Sequence, residues 1–161
     1  MSYFIKVVLL FGFLMQSIHA DNINENVDFK IGLINSNYNQ NNIAHLGLTK
    51  NFIHKQNFGN FNFGLAINLD LYSLNEDPLP YYVDILGKVV HTYGKLQSKL
   101  GVGLSFATSK EIERVGPLIT NDYIWTFKKY KLGAGFDYSQ FMKDNQIIHT
   151  LKTNFIINFS L

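Results

Sequence analysis

The chain contains no cysteine and a single arginine, Arg114. The missing cysteine removes disulfide frameworks, thiolate metal sites, a catalytic thiol and lipid attachment to cysteine. The missing arginines, with a net charge of only +2 and no basic run, argue against nucleic acid as a partner. Charge is scarce throughout, at 16% of 161 residues, where a globular chain carries about 25%. Beyond residue 20 no apolar run approaches the roughly 20 residues of a membrane-spanning helix. No apolar stripe at helical spacing lasts more than two turns either. What the chain has in quantity is aromatic side chains, 15% of the total.

The first twenty residues read as an address. Lys6 supplies a positive charge, Val7 to Met15 is apolar and too short to span a bilayer, and Ala20 precedes polar Asp21-Asn22. This pattern predicts a secretory signal peptide over residues 1–20, cleaved near Ala20, and one domain over residues 21–161.

That domain alternates with period two. In Phe61–Tyr72 one face carries Phe61, Phe63, Leu65, Ile67, Leu69 and Leu71, and the other Asn62, Gly64, Ala66, Asn68 and Asp70. Similar segments recur, each about 10 residues long, the length of a tilted membrane strand. Eight strands are expected: Val27–Ser36, Ile43–His54, Asn60–Tyr72, Tyr81–Thr92, Leu96–Thr108, Leu118–Lys128, Lys131–Phe141 and Ile148–Leu161. In the second, Lys50 falls among Ala44, Leu46, Leu48 and Phe52, which calls for a bulge or a snorkelling side chain. Longer polar connections (Ser36–Asn42, Ser73–Pro80, Ser109–Pro117, Met142–Gln146) alternate with shorter turns (Lys55–Gly59, Tyr93–Lys95, Lys129–Tyr130), the outer-membrane pattern.

Three features put the apolar face outside. Its load of Phe, Leu, Ile, Tyr and Trp would overfill the narrow interior of an eight-stranded barrel. The polar face holds Gly64, Ala66, Gly101, Gly103, Gly133 and Gly135, small residues that leave room inside. It also holds both signs of charge, Asp28, Lys30, Asp70, Asp84, Lys88, Lys99, Asp122, Lys128, Lys131, Asp137 and Lys152, expected to pair across the lumen. The aromatics Tyr81, Tyr123, Trp125, Phe127, Phe136, Tyr138, Phe155 and Phe159 share the apolar face, where interfacial girdles belong. The fold expected is all-β, an eight-stranded antiparallel up-and-down transmembrane β-barrel.

The end, Phe155-Ile156-Ile157-Asn158-Phe159-Ser160-Leu161, alternates apolar residues up to the last. In this and in its architecture the chain resembles the small outer-membrane barrels of the OmpX-like and OmpA-transmembrane-like kind. The resemblance implies a C-terminal assembly signal at Phe155, Ile157, Phe159 and Leu161, read by the barrel assembly machinery, although this chain ends in leucine where the family ends in phenylalanine. It implies residence in the outer membrane of a Gram-negative bacterium, in contact with outer-membrane lipid.

Catalytic, cofactor-binding and metal residues are not evident. The nearest to a hydrolase constellation is Ser139, His149 and Asp137; the histidines His45, His54, His91 and His149 are scattered and lack metal-ligand spacing. Glu76-Asp77 and Glu111, Glu113 and Arg114 read as solvated loop charges. The expected role is non-enzymatic, structural or surface-interacting, with a lumen plugged by charged side chains and loops offered to a host or cell-surface ligand. Two alternatives stay open. One is a lipid A-modifying hydrolase or acyltransferase; the other is a soluble secreted lipocalin-like barrel around an apolar ligand.

Overall fold

A computed structural model of the chain describes residues 23–37, 42–54, 59–72, 81–109, 112–143 and 145–160. The expected signal peptide, Glu76-Asp77, Glu111, the side chain of Glu113 and the terminal Leu161 lie outside the described residues or side chains. Eight strands follow one another: β1 Ile23–Ser36, β2 Ile43–His54, β3 Phe61–Tyr72, β4 Tyr81–Tyr93, β5 Leu96–Ser109, β6 Ile112–Phe127, β7 Tyr130–Lys143 and β8 Gln146–Ser160. Each pairs antiparallel with the next, and β1 pairs with β8, so the sheet closes and has no free edge strand.

The register sets the shape. Pairing runs from Glu25 through Phe52, Leu65, Gly87, Val102, Ile119, Tyr138 and Leu151, and returns to β1 at Asn35, ten residues further along the strand. A stagger of ten in eight strands tilts them by about 40° from the barrel axis, and leaves an interior just wide enough for side chains.

Four strands differ from the expectation by two residues or more at an end: β7 runs past Phe141 to Lys143 and β8 begins at Gln146, before Ile148, which shortens the expected loop Met142–Gln146 to residues 144–145. β1 begins at Ile23, four residues before Val27, and β6 at Ile112, six residues before Leu118. The expected loop Ser109–Pro117 is therefore mostly strand. Its Gly116-Pro117 pair looks like a turn signal, but proline belongs in a sheet where a ladder stops. Here β6 pairs with β5 from Ile112 to Trp125, while its ladder to β7 begins only at Leu118↔Ser139. The missing N–H of Pro117 accounts for that stop.

Lys50 resolves without a bulge, since β1 and β2 pair without interruption from Ile23↔His54 to Ile34↔Ile43. The lysine faces outward with Val27 and reaches Glu25, 3.0 Å away, with its ammonium 5.1 Å from the Phe52 ring centre. Both Lys50 and Glu25 stand towards the end of the barrel where β1 starts, but the lysine is 1% exposed, so a buried ion pair with Glu25, and not a snorkelling reach to the interface, accommodates it.

Candidate functional site

The two faces of the wall are segregated. Outward stand Ile31, Leu33, Phe63, Leu65 (62% exposed), Ile85, Leu104, Phe136 and Phe155 (51%). On β1 to β3 the outward Val27, Leu48 and Leu69 are packed with Phe29, Ile67, Leu71, Tyr81 and Val83. Inward stand the ions. Asp28, Lys30, Asp70, Asp84, Lys88, Lys99, Asp122, Asp137 and Lys152 are each no more than 2% exposed. This arrangement excludes a soluble barrel with an apolar interior, whose Leu65 and Phe155 would be enclosed and whose Asp70 and Lys99 would meet water.

The ions meet in tiers up the lumen. In the tier nearest the β1 start, the Lys99 ammonium donates to both Asp28 oxygens at 2.9 Å and to Asn26 Oδ1 at 2.9 Å. Asn51 and Asn158 also donate to the Asp28 carboxylate, at 2.8 and 2.6 Å. Next, Asp122 lies between two lysines, 3.4 Å from Lys30 and 3.4 Å from Lys88. Lys30 continues to Asp137 at 3.3 Å, which accepts from Asn154 at 3.0 Å. In the upper tier Lys152 bonds Asp70, lies 3.5 Å from Asp84, and sits 4.2 Å from the Tyr82 ring centre. Asn68 bridges the same two aspartates at 2.9 and 2.7 Å, and Ser105 donates to Asp84. Buried charges persist when paired and hydrogen-bonded in this way.

Glycines make the room. A Cβ on Gly47 would collide with the Asp70 carboxylate and come within 3.3 Å of the Lys30 stem. One on Gly101 would collide with Thr120 Oγ1 and approach Leu86 at 3.3 Å and Lys88 at 3.4 Å. Apolar side chains cross the lumen above and below the ions. Ile34, Tyr82, Phe141 and Ile148, with Tyr72 and Ala107 against them, stand at one end, and Ile53, Val90 and Ile124 point inward at the other.

Two of the expected lumen lysines stand apart from this network. Lys128 is exposed in the turn after β6 with φ 53°, because the strand ends at Phe127. Lys131 faces the lumen mouth, half-buried, and donates to Ser160 at 2.8 Å. Sequence reasoning missed His45, buried with Nδ1 3.5 Å from Asp70, and the carboxamides Asn26, Asn51, Asn154 and Asn158, and it placed Asn68 on the inner face without assigning it to the ion network. The signal was parity: Asn68 and Asp70, or Lys152, Asn154 and Asn158, share one face of one strand.

The hydrolase trio does not assemble. Asp137 and Ser139 point inward, 1% exposed, whereas His149 is exposed on the outer face. There His149 Nδ1 shares a 2.7 Å hydrogen bond with the Tyr138 hydroxyl, which also accepts from Gln140 at 2.7 Å. Phe155, Ile157 and Phe159 all face outward on β8. Among the described residues no group of three or more histidines and carboxylates is arranged to hold a metal ion.

No protein-family model and no curated protein matches the chain. Solved structures do. Neisserial surface protein A is similar with a TM-score of 0.52 at 10% identity, covering 89% of this chain and 100% of that one. The outer membrane protein Ail of Yersinia pestis in a bilayer nanodisc matches with a TM-score of 0.49 at 10% identity, over 85% of this chain and 99% of that one. The N-terminal β-barrel domain of OprF from Pseudomonas aeruginosa matches with 0.49 at 10%, over 83% and 97%. At such identities the likeness concerns the fold alone. The chain has the fold of the small eight-stranded outer-membrane β-barrels, the architecture that its sequence resembles.

Proposed function

We propose that the chain is a non-enzymatic protein of the outer membrane of a Gram-negative bacterium, structural or surface-interacting in role, with its lumen plugged by its own side chains. The observation that carries this reading is the inversion of the two faces. Apolar rings and branched chains point out, and nine ions at most 2% exposed are paired inside. In this reading the turns 55–60, 94–95 and 128–129 face the periplasm, and the connections 37–42, 73–80, 110–111 and 144–145 face the exterior. Two of those outer connections, 110–111 and 144–145, are only two residues long, so a host or cell-surface ligand would meet the strand ends as much as the loops. Phe155, Ile157 and Phe159, with Leu161, serve the barrel assembly machinery as its recognition strand, and no cofactor takes part.

A lumen filled in this way carries no large water path, unlike that of 16-stranded porins. Pure protein in a planar bilayer is therefore expected to give no large, steady ohmic channels. Such channels, in single steps with a linear current–voltage relation, would reject the plug. The enzymatic alternative is tested by mass spectrometry of lipid A from cells with and without the protein, which is expected to show one acyl pattern.

A further inference from the structure

At the end of the barrel where β2, β4 and β6 finish, two backbone hydrogen bonds tie turn residues to the neighbouring strands. Thr92 N–H donates to the Asn60 carbonyl at 3.1 Å, and Thr126 N–H to the Lys95 carbonyl at 2.9 Å. On the part of this rim built by β4 to β7 stand Lys95, Lys128 and Lys129, all exposed. Around them stand four exposed rings, Tyr93 (75%), Trp125 (44%), Phe127 (57%) and Tyr130 (62%). The Lys129 ammonium lies 5.4 Å from the Tyr130 ring centre. Neither Tyr93-Gly94-Lys95-Leu96 nor Phe127-Lys128-Lys129-Tyr130 contains a carboxylate to neutralise these charges.

Turn geometry does not account for Lys128. Its φ is 53°, and the other positive-φ residues among the described ones are Gly59, Gly94 and Asn145, types that adopt this backbone at little cost. The bend itself therefore gives no reason for a lysine at this position.

We infer that this half-rim binds anionic glycerophospholipid, with phosphodiester headgroups on Lys95, Lys128 and Lys129 and the rings seated at the boundary between headgroup and acyl chain. The inference rests on the membrane reading above. Lysines clustered at a bilayer surface draw anionic lipid over a Debye length, and amphipathic rings prefer that boundary. Here the two stand together on one rim.

Trp125 is the chain's one tryptophan and stands inside the patch, so it reports directly. The protein is reconstituted in phosphatidylcholine vesicles that carry equal fractions of either brominated phosphatidylglycerol or brominated phosphatidylcholine. The anionic quencher is expected to act as if enriched about threefold or more around Trp125. That excess should vanish in molar salt and in the variant Lys95→Gln/Lys128→Gly/Lys129→Gln, whose closure is verified on a heat-modifiability gel. Should the triple variant fail to close, Lys95→Gln/Lys129→Gln is expected to lose most of the excess with the bend at 128 untouched. Equal quenching of the native protein by both lipids overturns the headgroup preference and leaves the membrane reading standing. An excess that survives the lysine substitutions overturns their assignment. Quenching by neither lipid overturns both readings together.

Discussion

A lysine buried in a barrel is tolerated only because of what faces it, and Lys152 is the sharpest instance. Its ammonium meets Asp70, Asp84 and the face of Tyr82. Lys152→Met keeps much of the volume but leaves two aspartates without their cation. Removing one partner of a buried pair costs about 3–5 kcal/mol, so the urea midpoint of the folded barrel in micelles should fall sharply. Adding Asp70→Asn should recover part of the loss, and a double variant no better than the single would mean that the pair is not coupled. Lys128 makes the opposite case. Replacing it by glycine relieves a positive φ and should raise stability by up to about 1 kcal/mol, read as a higher thermal midpoint with the fold unchanged. Both residues were legible as charges on alternating segments. Only Lys152 keeps that parity through to the lumen, because β6 ends one residue before Lys128.

At the scale of the strand, alternation located all eight elements. It set the ends of β2 outright and those of β3, β4 and β5 to within a residue. It failed at β6, where Gly116-Pro117 reads as a turn but is a strand segment bonded to one neighbour alone. Local chemistry shows that a ladder is interrupted; which ladder depends on the neighbour. Pro117→Thr returns the N–H, and a net hydrogen bond is worth about 1 kcal/mol. The expected outcome is a new cross-strand contact between positions 117 and 140 by NMR, with a modest rise in stability. An unchanged ladder would mean that something other than the missing donor stops the pairing. β1 failed differently. Asn24, Glu25 and Asn26 look like a polar leader, yet they pair with Ile53, Phe52 and Asn51. A strand in a closed sheet can begin on residues of low propensity when its partner is already in place.

For the molecule as a whole, closure is the cooperative event. β1 meets β8 from Asn26↔Ser160 to Ser36↔Thr150, residues from opposite ends of the chain. Contacts of such sequence separation carry a large loop-closure entropy and gain it back only when the sheet is complete. Protein folded in detergent is therefore expected to migrate faster on a gel unheated than boiled, and to lose that difference when β8 is deleted. A truncated chain that still shows the shift would overturn the role given to the β1–β8 seam.

From sequence alone came the number of strands, their parity, the outward direction of the apolar face and the residue types of the lumen. These are local or period-two properties, carried by each segment independently. The stagger of ten, the partner that each ion takes, the separation of His149 from Asp137 and Ser139, and the gathering of Lys95, Lys128 and Lys129 on one rim came only from the tertiary structure. The reason is geometric: two strands that both point a charge inward meet or miss according to their relative register, and register is a property of the closed sheet rather than of any strand in it.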